Sequence, residues 1–230
     1  MRKYRHLFRN DILIMAREAQ CSNVTDYQEK KYTDQVKRII DIVFSSTALF
    51  VLFPFFCFLG LIIKLDSPGP VIFSQQRVGK NGQLFRMYKF RSMVVDAEKL
   101  LPSLADQNEA SGPMFKIKKD PRVTRIGRIL RKTSLDEFPQ LWNVLNGDMS
   151  LVGPRPALPS EVNQYTEFQR QRLLIKPGCS GLWQVCGRSN IDFETMIMLD
   201  LLYLKERCLL FDLLVMIKTV GQLVYSKTAY

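Results

Sequence analysis

The sequence predicts an α+β fold, a mostly helical domain with a small β-hairpin, joined to an apolar membrane-contacting helix. Three observations support this prediction. Residues 42–63 are almost purely apolar, a Pro/Gly-rich break at 67–70 follows them, and an Asn81-Gly82 pair then separates two strand-like runs. Helical apolar spacing dominates the later part of the chain. We therefore divide the chain into residues 1–36, 37–66 and 67–230.

Residues 1–36 mix basic and apolar side chains in a pattern suited to a basic amphipathic helix. Lipid-surface binding and an ordinary solvated helix or frayed terminus both remain open for this segment. It is not predicted to be a cleavable signal peptide, because the apolar run begins too late and no convincing cleavage site precedes it.

The apolar run at residues 42–63 has Pro54 near its middle. With a rise of about 1.5 Å per residue, a straight helix of this length could just cross a hydrocarbon core. Basic residues flank both ends, so the positive-inside bias keeps both ends cytoplasmic, and a proline breaks helices. We favour a re-entrant helix-break-helix over residues 37–66, broken at Pro54, ahead of a single crossing. A buried core helix is the weakest alternative, because the run is too long and too apolar.

The Asn81-Gly82 pair predicts a β-hairpin between residues 71–78 and 83–90. No acidic residue lies between residues 67 and 95, so the hairpin's basic side chains could face lipid headgroups, substrate phosphates or solvent. Beyond it, the patterns predict a short helix at 96–106 and longer helices at 159–174, 193–207 and 209–225. Packing is the favoured role of the last helix, with membrane contact second.

The composition describes one basic domain of 230 residues with a net charge of +11. Such a surface attracts nucleic acid, anionic lipid or phosphorylated substrates. The apolar run favours lipid and phosphate, and no nucleic-acid-binding motif is present, so we predict no nucleic-acid partner. The five cysteines lack CxxC spacing and His6 is the only histidine, which argues against zinc ribbons and Ser-His-Asp triads. The remaining chemistry is that of carboxylates and cations.

Asp136 and Glu137, called here the acid pair, follow a segment rich in Arg and Lys and precede Gly153-Pro154-Arg155-Pro156. A carboxylate beside phosphate-binding cations can attack phosphorus or hold a divalent metal, because the cations neutralise the phosphates. Helix capping is the alternative. Ser134 and Glu137 fit a capping box, and Asp136 could instead cap a helix that has Pro139 in its first turn. This motif alone leaves capping and catalysis both open.

Several motifs, in their order and spacing, resemble the bacterial sugar transferases, which are monotopic phosphoglycosyl transferases. The resemblance runs from about residue 37 to residue 220. The motifs are Lys89-Phe90-Arg91-Ser92-Met93, Ser134-Leu135-Asp136-Glu137-Phe138-Pro139-Gln140-Leu141, Gly147-Asp148-Met149-Ser150, Gly153-Pro154-Arg155-Pro156, and Gly181-Leu182-Trp183-Gln184-Val185 with Gly187-Arg188.

The resemblance implies a reaction. In that family, a sugar-1-phosphate passes from a UDP-sugar to undecaprenyl phosphate in the presence of Mg²⁺. UMP is released, and the undecaprenyl-diphosphate-sugar begins the synthesis of an exopolysaccharide, capsule or O-antigen-type glycan. The expected location is the bacterial inner membrane, with the catalytic domain on its cytoplasmic face. The resemblance also predicts a minimal catalytic form, without the N-terminal membrane domain of longer relatives.

The resemblance also assigns residues. It makes Asp136 the nucleophile that takes the phosphosugar as an acyl phosphate, and Glu137 its partner, with both able to hold the metal. It makes Pro54 the membrane break, although Phe53 stands where the family usually has serine. The residues implied to bind phosphate, nucleotide or other parts of the substrates are Arg131, Arg155, Arg188, Lys89, Arg91, Pro154, Pro156 and Gln184.

Two alternatives remain from the sequence. One is a glycosyltransferase that releases UDP, which the lack of a DxD motif and of a Gly-rich nucleotide fingerprint disfavours. The other is a non-catalytic basic membrane scaffold in which Asp136 is only a cap. The sequence does not distinguish sugar donors, and it leaves a monomer and a homo-oligomer both open.

Overall fold

The computed structural model describes residues 31–109, 112–115, 117, 119–187 and 191–225. Residues 1–30, with His6, and the predicted substrate-binding residue Arg188 lie outside the described residues. The elements, in chain order, are α1 (Lys31–Asp66), β1 (Ile72–Val78), β2 (Leu84–Phe90), α2 (Arg125–Thr133), α3 (Gln140–Asn146), β3 (Ser150–Val152), α4 (Pro159–Val162), α5 (Glu167–Arg170), β4 (Gly178–Ser180), α6 (Leu182–Cys186), α7 (Phe193–Glu206) and α8 (Leu209–Tyr225).

Helix α1 contains the apolar run and continues through Pro54. Its stretch Asp34–Asp66 is long and apolar enough to cross a membrane, with a mean hydropathy of 2.5. Only 11% of its apolar window is buried, which disfavours the alternative of a core helix. The assigned helix does not end at Pro54, so the predicted re-entrant path through a membrane remains a prediction.

Polar contacts fasten the first turns of α1 to the rest of the domain. Lys37 Nζ lies 2.6 Å from an Asp212 carboxylate oxygen in α8, and Arg207 pairs with Asp34 at 2.6 Å. Asp41 accepts a hydrogen bond from the Leu151 amide at 3.0 Å. Charged groups that leave water need such partners, so this end of α1 packs against the domain rather than extending away from it.

The predicted hairpin is confirmed by the antiparallel pair β1 and β2. Asn81 and Gly82 both have positive φ, at 56° and 80°, as the sequence pair favours. The connection is longer than a two-residue turn, because the Gly79 amide donates to the Gln83 carbonyl at 2.7 Å. In the resulting register Arg77 lies opposite Phe85. Arg77 therefore shares one face of the hairpin with Lys89, because side chains alternate along a strand.

Strands β3 and β4 form a short parallel pair that holds the backbone of the central loop. Gly153 has no space for a side chain there, because a Cβ atom would lie 2.6 Å from the Lys176 carbonyl oxygen. The main core surrounds this pair and includes Val144, Met149 and Tyr203. A smaller cluster joins α1, β2 and α2; its buried members are Leu59, Ile63, Phe90 and Leu130.

Two predicted helices differ from the structure, and two are confirmed. Residues 96–106 form turns and a 3₁₀ segment, Pro102–Gln107, instead of an α-helix, because Pro102 has no backbone N–H with which to continue an α-helical hydrogen-bond pattern. The predicted helix 159–174 divides into α4, α5 and the 3₁₀ segment Gln171–Leu174, because Thr166 and Gln169 form a capping box that starts a new helix. Helices α7 and α8 confirm the predictions at 193–207 and 209–225.

Candidate active site

The acid pair lies in a 3₁₀ turn, Leu135–Glu137, that connects α2 to α3. Helix α2 ends at Thr133, and Ser134 adopts a left-handed conformation with φ 56°. This residue reverses the chain direction and directs the turn against β2. Asp136 is buried, with 7% of its surface exposed. The turn therefore holds one carboxylate largely away from solvent.

Neither predicted capping arrangement forms. The Ser134 side chain makes no capping hydrogen bond, and the N-cap position of α3 is Pro139 rather than Asp136. The physical reason is the left-handed Ser134, which places Asp136 inside a 3₁₀ turn instead of at the start of an α-helix. Helix capping therefore does not account for these two carboxylates.

Lys89 contacts the acid pair from β2. Its Nζ donates to Glu137 Oε1 at 2.8 Å. Burial raises the pKa of Asp136 above its usual value and Glu137 adds to the rise, whereas Lys89 and Arg131 oppose it. Burial alone would lower the pKa of Lys89, but Glu137 and Asp136 outweigh that effect and raise it. Asp136 is thus a more basic carboxylate than an exposed aspartate, and Lys89 is a cation.

Arg131 reaches the same site from the last turn of α2. Its Nε donates to Ser92 Oγ at 3.0 Å, and its charge lowers the pKa of Asp136. The structure therefore brings together Asp136, Glu137, Lys89 and Arg131, all predicted from the sequence to be site residues. They come from β2 and from two sides of the turn at Ser134, which explains why they are dispersed along the chain.

Residues 153–156, called here the GPRP loop, follow β3. Pro154 and Pro156 are buried, and the Arg155 side chain is partly exposed. Arg155 Nη1 donates to Glu161 Oε2 at 2.9 Å, and Glu161 also accepts from the Leu158 amide at 2.9 Å. Burial acts to raise the pKa of Glu161, but Arg155 outweighs it and the pKa falls below its usual value. This carboxylate anchors Arg155 at the edge of the loop.

A buried ion pair between Arg172 and Asp200 supports the backbone of the GPRP loop. Arg172 donates to the Arg155 carbonyl at 2.8 Å and to the Tyr165 hydroxyl at 2.7 Å, and it forms an ion pair with Asp200. Burial raises the pKa of Asp200 to about 6, even though Arg172 acts in the opposite direction. The loop backbone is therefore held by a charged pair that lies inside the core.

Sequence reasoning grouped Arg77 with the other basic residues of the hairpin but did not assign it to the site. Arg77 connects the hairpin to the GPRP loop, because its Nη1 donates to the Pro156 carbonyl at 2.9 Å. It also shares a hairpin face with Lys89, which contacts Glu137. Arg77 could have been identified from its place on the same hairpin face as Lys89. That assignment, however, requires the register of the two strands.

Arg91, predicted to bind substrate, lies at the end of α1. Its Nη2 donates to the Ser67 carbonyl at 2.6 Å and to the Ile63 carbonyl at 3.2 Å, and the residue is 5% exposed. These contacts cap the last turn of α1, whose carbonyls lack partners within the helix. These contacts give Arg91 a structural position at the end of α1, and its predicted substrate contact stays a prediction.

Gln184, also predicted to bind substrate, lies in α6. Its Nε2 donates to the Cys179 carbonyl at 3.0 Å. Burial raises the pKa of the Cys179 thiol, and the negative charge of Glu137 adds to the rise. The amide nitrogen of Gln184 is already engaged, and its predicted substrate contact stays a prediction.

The described part of the chain contains no group of three or more His, Cys, Asp or Glu side chains placed to hold a metal. Mg²⁺ commonly uses only one or two protein carboxylates and completes its shell with water and substrate phosphates. The acid pair supplies two adjacent carboxylates, and the Glu137 side chain is 34% exposed. These residues therefore fit a metal shared with a bound phosphate.

The site presents an ionisable carboxylate beside several cations, an arrangement suited to an enzyme that acts on phosphate groups. Comparison with known families identifies a match that covers most of the chain. Residues 32–226 match the bacterial sugar transferase family, and the chain belongs to that family.

Relatives with curated names extend this result. The chain is similar to the "Galactosyl transferase CpsE" of Streptococcus agalactiae, with 47% identity over 83% of this chain and 42% of the relative. It is 39% identical to the "Undecaprenyl-phosphate galactose phosphotransferase" of Salmonella typhimurium, over 97% of this chain and 48% of the relative. It is 36% identical to the "Exopolysaccharide production protein ExoY" of Sinorhizobium fredii, over 84% of this chain and 88% of the relative. The chain spans about half the length of the first two relatives and most of the third.

Proposed function

We propose that this protein transfers a sugar-1-phosphate from a UDP-sugar to undecaprenyl phosphate and releases UMP. The observation that carries the proposal is the buried Asp136 beside Glu137, facing Lys89 and Arg131. The family and the name of the Salmonella relative support the same reaction. The product, undecaprenyl-diphosphate-sugar, would begin a surface glycan, in line with the name of the Sinorhizobium relative.

In the first step, an ionised Asp136 oxygen attacks the phosphorus that carries the sugar. The bond between that phosphorus and the oxygen bridging the two phosphates breaks, and UMP leaves with the bridging oxygen and its electron pair. In the second step, a phosphate oxygen of undecaprenyl phosphate attacks the acyl phosphate. The Asp136–phosphorus bond breaks and the carboxylate returns. Two steps allow a soluble donor and a lipid acceptor to use one site in turn.

The raised pKa of Asp136 suits this role. A more basic carboxylate is a stronger nucleophile, and the positive charges of Lys89 and Arg131 favour its ionised form. Arg155, held by Glu161, supplies a further positive charge for the leaving phosphate. Glu137 orients Lys89 and assists with a metal or a proton.

A magnesium ion would be held by Asp136 and Glu137 together with substrate oxygens. When bound, such an ion supplies positive charge that stabilises phosphate oxygens as charge develops on them. The side chains described above bind the phosphate, orient it and carry out the attack.

The membrane is the expected location of the second substrate. The solvent side of α1 carries exposed aromatic and aliphatic residues, among them Phe50 at 84% and Leu65 at 78%. Contiguous apolar surface of this kind indicates contact with lipid or with another apolar partner. We propose that α1 lies in the inner membrane and bends at Pro54, so that it enters and leaves the membrane on the cytoplasmic side. This path keeps the acid pair at the interface where a polyprenol phosphate arrives.

Two experiments test these proposals. Purified protein in nanodiscs would be incubated with Mg²⁺, undecaprenyl phosphate and a panel of UDP-sugars, with the released nucleotide identified. UMP supports the proposal, and UDP would indicate a glycosyltransferase. Single cysteines at Lys37, Phe50 and Leu65, in a background without the native cysteines, would then be labelled from each side of sealed vesicles. Labelling of Lys37 and Leu65 from the same side supports the re-entrant path, and labelling from opposite sides indicates a crossing.

A further inference from the structure

We infer that Arg77 binds a substrate phosphate group together with Arg155, at a position between the GPRP loop and the acid pair. This inference rests on the proposed function, because it takes the site to receive a phosphorylated substrate. It adds a binding residue that neither the sequence motifs nor the family comparison indicated.

The first argument is position. Strand β1 ends beside the GPRP loop, where the Val78 amide donates to the Ala157 carbonyl at 2.9 Å. Arg77, one residue earlier, points to the same side of the hairpin as Met87, a core residue, and Lys89, which contacts Glu137. The hairpin face that carries Arg77 is therefore the face that forms the site.

The second argument is unused hydrogen-bonding capacity. A guanidinium carries five N–H donors, and Arg77 uses its Nη1 on the Pro156 carbonyl and its Nη2 on Gln75 Oε1 at 2.7 Å. Its Nε is buried and has no hydrogen-bond partner among the described residues. Arg77 also forms no ion pair with a carboxylate in the described part of the chain. A partly buried cation whose Nε is shielded from solvent and lacks a partner is costly unless an anion reaches it.

The third argument is charge. Burial and the positive charge of Arg155 together lower the pKa of Arg77 to about 10, against the opposing effects of Glu161 and Glu137. Two guanidinium groups held this close repel each other. A phosphate bound between them removes the repulsion and accepts several charge-assisted hydrogen bonds.

A purely structural role for Arg77 predicts different behaviour. In that case the hydrogen bond to Pro156 is the whole function, and any side chain that keeps this bond would suffice. Arg77→Gln retains a donor that can reach toward the Pro156 carbonyl but removes the positive charge. Arg77→Lys retains the charge but not the planar fork that binds phosphate through two hydrogen bonds. The two variants therefore separate structural support from anion binding.

The test is equilibrium binding of UMP and of inorganic phosphate to the full chain in nanodiscs, which needs no turnover. Arg86→Gln is the matched control, because Arg86 is an exposed arginine on the opposite face of the same hairpin. We expect Arg77→Gln to weaken binding of both probes at least about tenfold, Arg77→Lys to be intermediate, and Arg86→Gln to match wild type. Wild-type affinity in Arg77→Gln would overturn the inference.

Steady-state kinetics then identify the phosphate. A raised KM for the UDP-sugar with an unchanged KM for undecaprenyl phosphate places Arg77 at the donor, and the reverse places it at the lipid phosphate. An unchanged KM for both substrates would overturn the inference. Failure of the proposed function is distinguishable, because it appears as full activity of Asp136→Asn and leaves the binding experiment unaffected.

Discussion

Lys89 Nζ lies 2.8 Å from Glu137 Oε1, and this ion pair connects the β-hairpin to the acid pair. The contact decides how the two carboxylates share their positive neighbours. Glu137 holds the lysine, and the lysine charge also acts on the buried Asp136. One cation thereby limits the rise in the pKa of Asp136 and favours the ionised form of the proposed nucleophile.

Replacing Lys89 with Met should shift the acidic limb of the pH–rate profile to higher pH. The Lys89 charge lowers the pKa of Asp136, so its removal lets burial and Glu137 raise that pKa further. A higher pKa requires a higher pH for ionisation, and activity is lost earlier as pH falls. The measurement is UMP release as a function of pH.

Two variants control this experiment. Lys89→Arg keeps the charge and should keep the limb close to wild type. Lys99→Met removes an exposed lysine whose ion pair with Asp96 lies on the surface, and it should leave the profile unchanged. An unshifted acidic limb in Lys89→Met would show that Lys89 does not act on the ionisation of the nucleophile.

Asp136→Asn should abolish turnover and yet unfold at a temperature no lower than wild type near pH 7.5. The pKa of Asp136 is raised in the folded state, so ionisation at neutral pH opposes folding, and a neutral side chain removes that cost. Below about pH 4, where an ordinary aspartate is protonated too, the difference should disappear. Thermal unfolding at both pH values checks this. A clear loss of stability at neutral pH would favour the scaffold hypothesis, in which Asp136 serves only structure.

Arg91→Met should lower stability without changing the KM for the UDP-sugar. Arg91 caps the carbonyls at the end of α1, so its loss removes the donor to the Ser67 carbonyl and one of the two donors to the Ile63 carbonyl, at a cost of about 1–3 kcal/mol. Urea unfolding and donor saturation curves give the two quantities. A raised donor KM with normal stability would restore the substrate-binding role predicted from the sequence.

Arg172→Met should be among the most destabilising substitutions in the chain, by about 3–5 kcal/mol, because it leaves Asp200 buried without its partner. The double variant Arg172→Met with Asp200→Leu removes both charges and should recover much of that loss. Its KM for the UDP-sugar should stay above the wild-type value, because the Arg155 carbonyl still lacks the hydrogen bond from Arg172. A double variant with a wild-type KM would mean that Arg172 does not position the GPRP loop.

The sequence predicts the hairpin and the last two helices well, because Asn81-Gly82 and regular apolar spacing are local signals. The hairpin register is less accessible. A two-residue turn would pair Lys80 with Gln83 and place Arg77 beside Arg86, whereas the observed turn pairs Arg77 with Phe85. A shift of one residue reverses the face of every side chain relative to the partner strand, so the sequence could not single out Arg77 among the basic residues of the hairpin.

The position of Arg91 was also not accessible from the sequence, and its predicted substrate contact stays a prediction. Lys89 and Arg91 stand two residues apart in one motif, which suggests a common face on a continuing strand. Strand β2 ends at Phe90, however, and Arg91 turns to the end of α1. The sequence predicts that Asp136 and Glu137 lie beside cations, as the structure shows, but it does not predict their backbone, because a left-handed Ser134 has no reliable local sequence signal.

The most direct test of the central claim uses a UDP-sugar labelled on the phosphate that carries the sugar. Wild-type protein would be incubated with Mg²⁺ and without the lipid acceptor, then quenched and analysed for labelled protein and for released nucleotide. We predict UMP together with a protein-bound phosphosugar at Asp136, with both signals absent in Asp136→Asn and the adduct lost when undecaprenyl phosphate is added. Full activity of Asp136→Asn, or release of UDP, would contradict the account.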